Sequence, residues 1–107
     1  MSNDYQPEIQ TRQEIDAMRG ATVLDFGTNY CGYCQAARPL IDAAFAGHAQ
    51  LTHLKIEDGK GRKLGRSFRV KLWPTLIFMR DGEELARVVR PTEPSDLEEP
   101  LARLLSQ

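Results

Sequence analysis

Cysteine, histidine and tryptophan are scarce here: 107 residues contain two, two and one of them. Two cysteines are too few for the disulfide framework that staples a small secreted domain, and the chain is long enough to bury a core without one. Neither sign of charge is in excess. Fourteen basic against fifteen acidic residues leave a net charge of -1, which argues against a general nucleic-acid binder. No apolar run approaches the roughly 20 residues of a membrane-spanning helix, so no membrane association is expected. Residues 1–16 are polar and acidic, without the basic and apolar regions of an export signal. A cytoplasmic chain is therefore expected, and in a reducing compartment a close cysteine pair is more often catalytic or metal-binding than structural. Composition is that of an ordinary globular protein, 41% hydrophobic and 27% charged, and one domain over residues 1–107 is expected, with 1–7 a loose lead.

Turn and cap residues divide the chain. Residues 8–10 read as a short edge strand. Thr11-Arg12-Gln13-Glu14 fits a capping box, opening a short helix to about Arg19 that Gly20 ends. Residues 21–26, Ala-Thr-Val-Leu-Asp-Phe, are a mostly apolar run of strand length between Gly20 and Gly27, expected to be a central strand buried on both faces and interrupted by one charge, Asp25. Ala37, Leu40, Ile41, Ala44 and Phe45 lie on one face of a helix running to about Gly47, with Pro39 inside it as a kinking residue. Residues 50–57 read as a second core strand, 58–61 as a loop and 62–68 as a short basic helix. Residues 74–79 and 84–89 are two strands, and Asp81-Gly82 between them signals an antiparallel hairpin. Residues 95–105 form a last helix with Ser95-Asp96-Leu97-Glu98 as a second capping-box candidate; Pro100 argues for a start nearer Glu98 or Glu99. The order β-α-β-α-β-α-β-β-α implies an α/β fold with a mixed sheet and helices on both faces.

Both cysteines fall where the central strand hands over to the long helix, in Tyr30-Cys31-Gly32-Tyr33-Cys34. A thiolate at a helix N-terminus faces unpaired amides and the positive end of the dipole, so this placement reads as a thiol-disulfide redox site. Cys31 would attack a substrate disulfide and Cys34, one turn on, would resolve the mixed disulfide. A rival pattern, Cys31-x2-Cys34-x13-His48-x4-His53, has the loose spacing of a two-Cys, two-His zinc finger. Its surroundings are wrong for one: the cysteines open a helix, and the histidines are separated by Gly47 and Gln50 onto a helix end and a strand. No metal is expected.

These residues resemble the thioredoxin superfamily, specifically thioredoxin-like proteins, over about residues 8–105. Val23-Leu24-Asp25-Phe26 is similar to the family's V-D-F, Cys31-Gly32-Tyr33-Cys34 to its C-G-P-C, Pro39 to its helix proline, and Trp73-Pro74-Thr75 to its cis-proline turn I-P-T. The resemblance implies a thioredoxin-like, three-layer α/β/α fold. Asp25 becomes a buried carboxylate beneath the active site with Lys55 its partner on the next strand, placed to take or give a proton as Cys34 becomes a nucleophile. Pro74 is implied to be cis, leaving the Trp73 backbone free to pair with an extended substrate. The family's two tryptophans near the site are replaced by Gly27 and Tyr30, the proline between the cysteines by Tyr33, as in the C-P-Y-C of glutaredoxins, and a groove glycine by Arg90. Tyr30, Tyr33, Trp73, Pro74, Arg90 and Leu72 are then expected to line the substrate platform.

The expected activity is reduction of protein disulfides by a monomer without a bound cofactor, an external thiol reductase or glutathione restoring the dithiol. Two alternatives stay open: a glutaredoxin-like, glutathione-coupled reductase in which Arg90 and the basic stretch of Lys60, Arg62, Lys63, Arg66, Arg69 and Lys71 contact carboxylates, and a thioredoxin-fold binding or chaperone module with idle thiols.

Overall fold

A computed structural model of the chain describes residues 4–106. Its elements run α1 (Arg12–Asp16), β1 (Ala21–Gly27), α2 (Gly32–Phe45), β2 (Thr52–Glu57), α3 (Lys63–Ser67), β3 (Thr75–Arg80), β4 (Glu83–Val89) and α4 (Ser95–Leu105). The strands form one mixed sheet in the order β2-β1-β3-β4. β1 pairs parallel with β2 and antiparallel with β3, and β3 and β4 form the antiparallel hairpin. With a strand on either side and helices above and below, β1 is buried along its whole length. That is why it reads as a continuous apolar run and not as an alternating one.

Successive side chains of a strand point to opposite faces, and the two cores follow that period. Val23 of β1 and Phe78 of β3 pack with Ile41 and Phe45 of α2 and with Leu97, Leu101 and Leu104 of α4. Leu24 and Phe26 of β1 and Ile77 of β3 pack on the other face with Ile15 of α1 and with Leu64 and Phe68, which belong to and follow α3. Asp25 shares its parity with Val23, so its carboxylate lies on the α2 side, under the cysteines. Parallel register sets Val23 beside His53 and Asp25 beside Lys55, which brings both β2 side chains to the same face.

Several sequence expectations change. The strand expected at residues 8–10 is absent there; Gln6 instead makes an isolated parallel bridge to Ile56. Glu8 does something else: its carboxylate accepts the Lys63 and Leu64 amides at 3.1 and 2.8 Å, capping α3, whose own N-cap Arg62 makes no side-chain cap. Of the lead taken as loose, residues 1–3 lie outside those described, but residues 4–7 are docked, with Tyr5 buried. The capping box at Thr11 and Glu14 is present, though α1 ends at Asp16, short of Arg19. β2 lies at the sheet edge with Ile56 its one fully buried residue, so it is less of a core strand than its pattern suggests. α4 starts at Ser95, with Pro100 inside it. The capping box expected at Ser95 is absent, α4 having no side-chain cap; the Asp96 carboxylate instead folds back to accept the Thr92 and Glu93 amides of the preceding turn at 2.8 and 3.1 Å, and Pro100 lies within the helix without setting its start.

Candidate active site

β1 ends at Gly27 and the chain turns through Thr28, Asn29 and Tyr30 into α2, whose N-cap is Cys31. The sulfur takes the role that a serine or aspartate oxygen usually has at this position: Cys31 Sγ accepts the Cys34 amide at 3.3 Å. Asn29 holds the turn from two sides, accepting the Tyr5 amide at 2.9 Å through its side chain and the Gln35 side-chain amide at 2.8 Å through its carbonyl. Both thiols are free. Cys31 is half-buried, whereas Cys34, on the inward side of the first turn, is buried. Burial, followed by the hydrogen bond to Cys31, pushes the Cys34 thiol up to about 12. An outer thiol open to a partner and an inner one that stays protonated until a base acts are suited to sequential attack.

Opposite Cys31, the Trp73–Pro74 peptide is cis, and the Cys31 thiol points at the Trp73 carbonyl, 3.8 Å away. That carbonyl is not free, in contrast to the sequence expectation: the Arg90 guanidinium donates to it at 2.9 Å. The same guanidinium lies 3.7 Å over the Tyr33 ring, a cation–π contact. Tyr30 and Tyr33 are 87% and 59% exposed and Leu72 48%, so these three supply the apolar rim beside Cys31. Trp73 belongs to it less, being half-buried with its indole N–H donating to Asp58 at 2.9 Å.

Beneath Cys34 sits Asp25, fully buried. Its Oδ1 accepts the Tyr5 hydroxyl at 2.7 Å and its Oδ2 lies 3.0 Å from His53 Nε2. Burial first, and the Asp25 carboxylate next, push the Tyr5 hydroxyl above its ordinary value. Lys55 is the register neighbour of Asp25; its ammonium lies 5.5 Å over the Tyr5 ring and 3.8 Å from the Asp42 carboxylate. Tyr5 and His53 were missed from sequence. Tyr5 stood alone in a polar lead with no period to place it. His53 had a signal, because it lies two residues before Lys55 and so on the same face of β2. His48 follows α2 and lies away from this group, lining a groove with α4 residues. Among the described residues no cluster of three or more His, Cys, Asp or Glu is placed to hold a metal ion.

Two thiols one helical turn apart, over a mixed sheet and facing a proline turn, exchange disulfides, and the class that fold and site define is the thiol-disulfide oxidoreductases. The chain belongs to the thioredoxin family, whose sequence model, described as thioredoxin, matches residues 5–103. Thioredoxin 2 from Pseudomonas aeruginosa, solved in its reduced form, is 52% identical with a TM-score of 0.88, over 99% of this chain and 98% of that one. The thioredoxin of Chlamydia pneumoniae is 34% identical over 70 residues, 65% of this chain and 69% of that protein. Thioredoxin H7 of Arabidopsis thaliana is 26% identical over 95 residues, 82% of this chain and 74% of that protein. Membership sets aside the module with idle thiols. Among the described residues no helix is long and apolar enough to cross a membrane.

Proposed function

We propose that the protein reduces disulfides in other proteins, with Cys31 as the attacking thiol and Cys34 as the resolving one. The observation that carries this reading is the position of Cys31 Sγ, half-exposed at the start of α2 and 3.8 Å from the Trp73 carbonyl. The Cys31 thiolate attacks one sulfur of the substrate disulfide, forming a mixed disulfide and releasing the other sulfur as a thiolate that takes up a proton. Cys34 then gives up its proton and attacks Cys31 Sγ. The Cys31–Cys34 bond forms, the second substrate sulfur leaves with its electron pair, and the substrate has gained the two electrons that the dithiol lost.

Asp25 is the group that takes the Cys34 proton, and Lys55 offsets the buried negative charge that remains. Tyr30, Tyr33, Trp73 and Pro74 form the platform for the substrate chain, and Arg90 borders it; a docking backbone competes with Arg90 for the Trp73 carbonyl. The protein works as a single-domain monomer in the cytoplasm, where an external thiol reductase or glutathione returns the dithiol to its reduced form.

Insulin reduction tests this. Wild type turns over and Cys31→Ser does not; Cys34→Ser stops after the first bond and carries its partner as a mixed disulfide on a non-reducing gel. Turnover by Cys31→Ser sinks the assignment. Supplying a thioredoxin reductase in one arm and glutathione in the other identifies the electron donor.

A further inference from the structure

Tyr5, Asp25 and His53 form a continuous hydrogen-bonded set that begins beside Cys34 and ends near solvent. Gly27 makes it possible. A Cβ at Gly27 would stand 2.7 Å from Cys34 Sγ, 2.7 Å from Tyr5 Cζ and 2.9 Å from Tyr5 Oη. The space that a side chain would fill is thus the meeting point of the tyrosine and the thiol, both of which border it. The Tyr5 hydroxyl also donates to Asp25 Oδ1 at 2.7 Å, and the other carboxylate oxygen lies 3.0 Å from His53 Nε2. Asp25 is sealed from water, whereas the His53 side chain is 19% exposed. A buried carboxylate needs partners on both oxygens to stay charged, and here one partner leads inward to the thiol and the other outward.

We propose that the Tyr5 hydroxyl carries the proton between Cys34 and Asp25, and that His53 positions that carboxylate and connects it to solvent. In the resolving step the Cys34 proton moves to Tyr5 Oη as the Tyr5 hydroxyl proton moves to Asp25 Oδ1. Tyrosine stays neutral and the carboxylate becomes the acid. The electron pair left on Cys34 Sγ forms the bond to Cys31 Sγ and expels the partner sulfur. The carboxyl group then turns about its Cβ–Cγ bond to bring the protonated oxygen from Tyr5 to His53 Nε2, which takes the proton and passes it to water. The charged groups around His53 are Asp25 on β1, in direct contact with it, and Lys55 on its own strand and Asp4 on the lead, which line the same pocket; Lys55 is in turn paired with Asp42 and Asp4 with Arg38, both on α2. The Phe45 ring meets the imidazole edge-on at 4.9 Å and fixes its plane.

This inference rests on the reading of Cys34 as the resolving thiol, and one experiment separates the two. Reduced protein mixed with a stoichiometric amount of 5,5′-dithiobis(2-nitrobenzoate) releases one thiolate when Cys31 attacks and a second when Cys34 resolves the adduct. The ratio of second to first rate isolates the step in question and uses the first release as the control for folding. Tyr5→Phe keeps the ring and removes the hydroxyl; it lowers this ratio about a hundredfold, the low end of what a positioned proton-transfer group contributes. His53→Gln keeps a hydrogen bond to Asp25 but cannot exchange a proton through a ring; it lowers the ratio less and displaces the pH profile of the second release. An unchanged ratio in Tyr5→Phe overturns the proposal, as does a reduced ratio with the wild-type pH profile in both variants, which marks a packing role. A wild type without a second release removes the resolving thiol itself and the proposal with it.

Discussion

Gly27 matters by what it omits. Its backbone is ordinary strand, so the requirement is close approach and not a left-handed φ, and it stands where the family pattern has a tryptophan. The vacated volume lets an aromatic ring from a remote segment, Tyr5, reach Cys34 and Asp25. At the same scale lies the linkage between Cys34 and folding. The thiol is held protonated by burial and by Cys31, up to about 12 against an ordinary 9.0. A raised value means that the native state keeps its proton where the unfolded chain has lost it. The stability of the reduced protein is therefore full below about pH 9 and declines as pH rises toward 12. Urea midpoints at neutral pH, pH 9 and pH 10.5 are expected to fall more steeply for the reduced protein than for Cys34→Ser. Parallel curves would show that Cys34 is not the group responsible.

Among the elements, the end of β4 carries a cost that its neighbours explain. Arg90 has φ 54°, the left-handed region that disfavours a side chain by roughly 1–2 kcal/mol. What holds it there is its amide, donating to the Pro74 carbonyl at 2.9 Å, and its guanidinium, shared between the Trp73 carbonyl and the Tyr33 ring. Arg90→Gly relieves the backbone and forfeits the contacts, so its stability is expected to stay within about 1 kcal/mol of wild type. It also frees the Trp73 carbonyl, so KM for protein disulfides is expected to fall while reaction with a small aromatic disulfide is unaffected. A rise in KM would mean that Arg90 itself grips the substrate. The hairpin before it was plain from Asp81-Gly82, both with positive φ, as a two-residue turn of that kind requires. The cap by Glu8 was not. A carboxylate that caps a helix 55 residues on leaves no local pattern.

For the molecule as a whole, the sheet separates two cores, and the one between sheet, α2 and α4 supports the site. Phe78 is fully buried there and meets Phe45 edge-on at 6.1 Å, while Phe45 in turn meets His53 at 4.9 Å. Phe78→Ala is expected to cost about 3–5 kcal/mol, a large share of the roughly 5–15 that a domain has. Because the loss reaches His53 through Phe45, the resolving step is expected to slow at temperatures where the variant is still folded. Denaturant melts and the two-step thiol release measure the two effects; a cost under about 1 kcal/mol would show that the core refills the cavity.

Sequence alone determined the central strand, the dithiol at the start of α2, the hairpin and the helix faces, since each is written in a local period, a cap or a turn residue. It also pointed to Asp25, a lone charge in a run that must be buried. Only the tertiary structure decided which groups meet that charge. Parallel pairing of β1 and β2 brings His53 and Lys55 to its face, and the backbone of Gln6 seated against β2 delivers Tyr5 to it from 20 residues away. Such contacts depend on strand register and on space left by Gly27, and neither is encoded within reach of any one segment.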